Sequence, residues 1–209
     1  MTNLTTEKQP YHAVYRGPYP GLDYRAARPF ERWQAPHLIR SMREWLTQNP
    51  PRLELATLAL DELRFRDSSV LKAEMVFADC GLQPIEWLDP ARRAVASAFP
   101  KSWEGWEQVK RSGGTVYVIL RDGYSAESGL YGAYVGSTKN TLEKRFMEHR
   151  QSSKAGRGLP AHGIEPLFSL CQPFMRKAPL ARASLEAWET RLHHALAGVI
   201  PKVSGDVVA

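Results

Sequence analysis

The chain has 209 residues, 43% of them hydrophobic, with 28 Lys+Arg against 22 Asp+Glu and an isoelectric point near 9.4. That is enough apolar material for one large folded unit or two small ones and excludes wholesale disorder. No apolar run approaches the ~18–20 residues of a membrane span. The opening MTNLTTEKQPYHAVY carries no charged-then-apolar leader, so the expectation is a cytoplasmic protein without a membrane partner.

The positive charge is uneven. Residues 1–110 hold 15 Lys+Arg and 14 Asp+Glu, a net of +1, whereas residues 111–209 hold 13 and 8, a net of +5. A polyanion-binding site in the second half would need such an excess, and ordinary basic solubility would also produce it. Cys80 and Cys171 stand alone in apolar surroundings, a pattern of small buried residues in a reduced protein rather than of a zinc site.

Residues 1–33 read as an extended arm in which Tyr11, Tyr15, Tyr19 and Tyr24 alternate with Arg16, Arg25, Arg28 and Arg32. Its prolines and glycines disfavour a long helix or strand. The arginines could meet phosphates, or the tyrosines could pack on a globular body. Residues 34–110 read as a mainly helical accessory module. One helix lies over 36–48 and ends at Asn49-Pro50-Pro51. A second spans Leu53 to Phe65, ambiguous in its first half. A third runs from Val70 to Cys80 behind a cap at Asp67-Ser68-Ser69, and a fourth starts at Asp89-Pro90. Its tryptophans suit core or interface anchors, and no catalytic constellation appears in it.

The second half is patterned differently. Gly113-Gly114 precede a strand, Thr115 to Leu120, and polar residues 121–129 form a hairpin connection. A second strand, Leu130 to Val135, closes on Gly136-Ser137-Thr138. A helix follows from Asn140 to about Ser152, with Arg145 and His149 four apart on one face. Residues 152–163 are a glycine-rich basic loop whose Lys154 and Arg157 could contact phosphate or simply be solvated. Ile164 to Phe174 reads as a third strand, Ala181 to Ala197 as a helix carrying Glu186 and Glu189, and residues 201–209 as a tail. The resulting order, β-β-α-β-α over residues 111–200, predicts an α+β unit: a small three-stranded antiparallel sheet flanked by helices.

By residue type alone, Tyr117 and Tyr134 are strand tyrosines capping a core. Arg145 is a surface arginine paired with Glu148 or Glu143, and Glu189 is a helix carboxylate paired with Arg182 or Arg191. The order of the pieces says more. Thr115-Val116-Tyr117, then Tyr134-Val135-Gly136, then Arg145 on a helix and a glutamate on a later helix resemble the GIY-YIG nuclease family over roughly residues 113–200.

The resemblance implies a divalent-metal-dependent DNA endonuclease that hydrolyses phosphodiester bonds by a tyrosine-assisted, single-metal mechanism. It assigns Mg²⁺, with Mn²⁺ able to substitute, to Glu189, which is followed three positions later by the apolar Leu192 as in the family; Glu186 is the second choice. It makes Arg145 the phosphate clamp and Tyr117 the base, with Tyr134 orienting phosphate or water. A phenol is a poor base at neutral pH, and His149 would share its proton. Gly136 and Lys139 would lie against the nucleic-acid backbone. The implied partner is double-stranded DNA, and a homodimer would suit a double-strand break by a restriction-type, phage or mobile-element enzyme. A structure-specific repair nuclease and a catalytically inactive nucleic-acid-binding protein are the alternatives. The sequence departs from the family pattern where Thr115 replaces a glycine. It departs again in the one residue added between Tyr134 and Arg145, and after the glutamate helix, where Pro201-Lys202-Val203-Ser204 offers Ser204 in place of an asparagine.

Overall fold

The computed structural model describes residues 15–124, 130–151 and 159–205. Lys154, Arg157, part of the hairpin connection and the start of the arm lie outside them.

Four helices make the first half: α1 (Ala35–Leu46), α2 (Leu53–Phe65), α3 (Val70–Asp79) and α4 (Leu88–Ala98). α1 is amphipathic and buries Leu38, Met42, Trp45 and Leu46. α2 is buried at every position from Leu53 to Leu60, and α1, α3 and α4 pack around it. A helix enclosed on all sides has no polar face, which is why its first half gives no readable period. Ser69 enters α3 at φ 60° without a side-chain cap bond, so the expected serine cap is absent.

Residues 15–33 contain no helix or strand and are laid over this module. Tyr24 and Phe30 are buried, and Arg66, at the end of α2, donates to the carbonyls of Phe30, Glu31 and Trp33 at 2.9, 2.7 and 2.6 Å. Arg16 binds the carbonyls of Asn49 and Pro50, and Arg28 binds Glu62 at 2.5 Å. These two arginines are thus engaged inside the protein.

The second half holds a mixed five-stranded sheet: β1 (Ser112–Arg121), β2 (Gly132–Thr138), β3 (Gly163–Pro166), β4 (Ala178–Pro179) and β5 (Val203–Ser204). The order is β3-β1-β2-β5, with β4 also on β1. β1 and β2 pair antiparallel from Thr115↔Thr138 to Arg121↔Gly132, whereas β5 runs parallel to β2. The helices here are α5 (Leu142–Gln151), the short α6 (Leu159–His162) and α7 (Phe168–Cys171), and α8 (Arg182–Ala197).

The expectation of a three-stranded antiparallel sheet is therefore corrected in three places, the first being β4, an unforeseen short strand paired with β1. The stretch Ile164 to Phe174 is strand only as far as Pro166. Leu167 adds one more bond to Val118, and the next two amides, of Phe168 and Ser169, are taken by the Glu54 carboxylate at 2.9 and 2.7 Å. With those donors satisfied, the chain turns into α7 and a 3-10 turn. The predicted tail supplies β5, and the carbonyl of Lys202 just before it accepts from Ala133 at 2.9 Å, although two residues are too few to show an alternating pattern.

The halves meet through aromatic rings. Phe99, Trp103 and Trp106 pack on Phe174 and Trp188, with Phe99–Phe174 centroids at 4.6 Å and Trp106–Trp188 at 4.9 Å. Trp87 donates to the Tyr131 carbonyl at 3.1 Å. The tryptophans are anchors, as expected.

Candidate active site

On antiparallel β1 and β2, Tyr117 faces Gly136 and Ile119 faces Tyr134. Alternation puts Tyr117, Tyr134 and Gly136 on one face, where the two tyrosine rings lie 6.3 Å apart. Gly136 is inside the strand rather than at its closing turn. A Cβ on it would come within 2.6 Å of the Tyr117 hydroxyl and 2.8 Å of the Tyr134 ring. Its lack of a side chain is thus explained by the phenol lying across it, and the strand runs on to Thr138.

α5 is capped by Thr141, whose hydroxyl accepts the Lys144 amide at 3.2 Å. Leu142, Phe146 and His149 form its buried stripe, so an imidazole stands where an apolar residue would ordinarily complete the core contact. His149 Nε2 lies 2.6 Å from the Tyr117 hydroxyl, and Arg145 Nε donates to that same oxygen at 3.3 Å. In the tautomer with the imidazole proton on Nδ1, the oxygen can accept from Arg145 while donating its own proton to His149 Nε2. Arg145 also reaches Glu148 at 3.3 Å, and Glu148 accepts from Asn140 at 3.3 Å. The surface pairing and the contact with the tyrosine thus coexist, Arg145 being held between the strand and its own helix.

Glu189 is buried on α8, and its charge bears on Tyr117. Glu186 is turned elsewhere, paired with Arg182 at 2.7 Å and lining an open surface hollow with Ala183, Thr190 and His194. Glu189 is accordingly the carboxylate of this site. Burial pushes the Tyr117 phenol well above its usual value; the neighbouring Tyr134 adds to that, the Arg145 guanidinium opposes it, and Glu189 raises it further.

The structure brings together Tyr117, Tyr134, Gly136, Arg145 and His149, with Glu189 close enough to act on the phenol. Lys139 is exposed just beyond β2, two residues before the α5 cap, and makes no part of this cluster. Ser204 bonds the Arg121 guanidinium at 2.8 Å and the Ala133 carbonyl at 3.3 Å, so it locks β5 to the sheet.

Sequence reasoning gave no role to His193. It lies one helical turn beyond Glu189, its Nδ1 is buried without a hydrogen-bond partner among the described residues, and burial, then His194, lowers its pKa. The Glu189–His193 spacing was its one visible signal. Among the described residues no group of three or more His, Cys, Asp or Glu side chains could hold a metal. A closed protein cage is therefore not formed by the described residues; an ion held through one carboxylate would have to keep most of its own waters. Among the described residues, no helix is long and apolar enough to cross a membrane. Against models of known protein families, curated proteins and solved structures, the chain has no match.

Proposed function

We propose that this chain is a divalent-metal-dependent DNA endonuclease of the GIY-YIG type, with Tyr117, Arg145, His149 and Glu189 as its catalytic residues and Tyr134 orienting phosphate or water. The carrying observation is the Arg145–Tyr117–His149 contact, because it answers the chemical difficulty of a phenolic base. The Tyr117 oxygen takes a proton from the attacking water as its own proton passes along the 2.6 Å bond to His149 Nε2. A free phenolate, which burial disfavours, is never needed. The water oxygen bonds to phosphorus, the opposite P–O bond breaks, and the departing oxygen is protonated by solvent. Arg145 is 36% exposed and can exchange Glu148 for two phosphate oxygens without losing its charge. Glu189 would hold Mg²⁺, or Mn²⁺ in its place, and the ion supplies positive charge against the charge developing on the leaving oxygen. Gly136 lets the phenol lie across the strand toward the nucleic-acid backbone, and Lys139 is a phosphate contact at the rim. The net charge of +6 suits a double-stranded DNA partner.

One observation favours a second reading. The Tyr117 side chain is fully buried, as in a protein that keeps the fold to bind nucleic acid without cutting it. A single experiment separates the two: plasmid, duplex, single-stranded and branched DNAs are incubated with Mg²⁺ or EDTA, and Glu189→Ala and Tyr117→Phe are run beside wild type. Cleavage that needs Mg²⁺ and falls by at least ~10²-fold in each variant is expected. Cutting that survives EDTA or Glu189→Ala would sink the mechanism, and binding without cutting would establish the second reading. Discrete mapped ends would indicate a restriction-type enzyme, and nicks at branches a repair nuclease.

A further inference from the structure

A cavity of about 290 Å³ opens where three parts of the chain meet: the arm at residues 24–27, α4, and the turn after α7. That is near the lower end of the range for sites that take small molecules, roughly 300–1,000 Å³. Its apolar walls are the Tyr24 ring, Val95, Phe99 and Pro173. Three arginines and one aspartate also line it, an excess of positive charge. None of these residues belongs to the Tyr117 cluster.

The three arginines are not equivalent. Arg25 and Arg93 are exposed and hold Asp23 and Asp89. Arg92 is half-buried. It donates to the Ala26 carbonyl at 2.5 Å and to the Ala27 carbonyl at 3.3 Å, which uses two of its five N–H groups. Among the described residues no carboxylate reaches it at ion-pair distance. Burial holds its pKa below the usual value, and Asp89, Glu54 and Asp61 oppose that only from farther off. Backbone carbonyls thus fix a guanidinium in place and leave part of its planar fork over, the shape that takes two oxygens of a carboxylate or phosphate. Arg92 also borders a second hollow, but there an anion would meet the carboxylates of Asp61 and Glu62 as well. We propose that the 290 Å³ cavity binds a small organic anion, its carboxylate or phosphate on Arg92 and its flat apolar body against Tyr24, Val95 and Phe99. A neutral molecule would leave Arg92 unmatched, and a bare inorganic ion would leave the apolar walls uncovered, so both parts of the ligand are required. The site is independent of the catalytic reading. Its occupant fastens the arm to α4 and to the α7 turn at once.

Ligand-observed NMR titrations and thermal melts of the full chain test it, with benzoate and phenyl phosphate as probes. Benzamide and inorganic phosphate each lack one part of the ligand. At least one of the two organic anions is expected to bind saturably at about millimolar concentration or below and to raise the melting temperature by about a few degrees. The tighter of the two tells a carboxylate from a phosphate source. Benzamide and inorganic phosphate should bind about tenfold more weakly or not at all. Arg92→Lys keeps the charge and loses the fork, and should weaken the anion about tenfold. Ala96 is exposed on α4 and lines the cavity, so Ala96→Phe fills it without touching the bonds of Arg92. That variant should lose the anion with the melting temperature of the free protein unchanged. Arg145→Ala should bind as wild type does. The inference is overturned if neither organic anion saturates, if benzamide or inorganic phosphate binds equally well, or if Ala96→Phe binds like wild type. Loss of binding in Arg145→Ala would place the anion at the Tyr117 cluster instead.

Discussion

At Gly136 the strand needs an absence. The Tyr117 hydroxyl occupies the place a Cβ would take, and both tyrosine rings are buried, so neither can retreat into solvent. Gly136→Ala should therefore cost about 1–3 kcal/mol and break the Tyr117–His149 contact together with cleavage. Denaturant melts and a nuclease assay on the same preparation check this, and wild-type stability would refute the contact. Tyr117→Phe is the converse case: the ring stays and the hydroxyl goes. Its cost should be about 1 kcal/mol while activity falls far more. At this scale the sequence was informative where a motif named residues and silent where one explains another. Tyr117, Arg145 and His149 were legible as a set. That His149 completes a buried stripe was not, because a histidine does not register as apolar in a periodicity, nor could spacing show that Gly136 lies beneath a phenol.

Among the elements, α2 is joined to α7 and to β3 by two carboxylates. Glu54, in the first turn of α2, caps α7, and Glu165, at the end of β3, accepts the Glu54 amide at 2.8 Å. Burial raises the Glu54 pKa to about 7, against the bonds from Ser169 and Phe168; burial and then the charge of Glu54 raise that of Glu165 to about 8. Both folded values exceed the ordinary 4.5, so the stability they contribute is complete below about pH 4.5 and is lost as pH rises through about 7 and 8. Wild-type Tm should fall by several degrees across that window. Glu165→Gln, which keeps an acceptor and removes one charge, should flatten the fall; thermal melts on either side of the window decide, and an unchanged slope would exclude the pair as its source. This joint also accounts for the misread third strand. The apolar, β-branched start of that stretch fits a strand, and what ends it at Pro166 is a side chain 114 residues away in sequence. Local propensity cannot encode such a cap.

In the whole molecule, the helical module and the sheet-bearing half share one core. Trp188 of α8 packs on Trp103, Trp106 and Phe99, and Arg191 bonds the Ala98 carbonyl at 2.8 Å with its guanidinium 4.9 Å from the Trp103 ring. Truncating Trp188 to alanine should cost about 3–5 kcal/mol and lower one common transition, with helical signal and active-site tyrosine fluorescence lost together. Two separate transitions in wild type would contradict the shared core. The division into helical module and sheet-bearing half, visible in composition and charge, marks where patterns change along the chain and not where the molecule comes apart.

The Glu54–Glu165 joint bears on how such a chain can change over generations. Each carboxylate serves an element belonging to the other half, so replacing either alone leaves buried amides without acceptors and one half without its fastening. A change at one position is therefore expected to demand a change at the other. Among descendants of a common ancestor they should vary in concert, and grafting this sheet-bearing half onto a foreign helical module should succeed only when a glutamate equivalent to Glu54 comes with it.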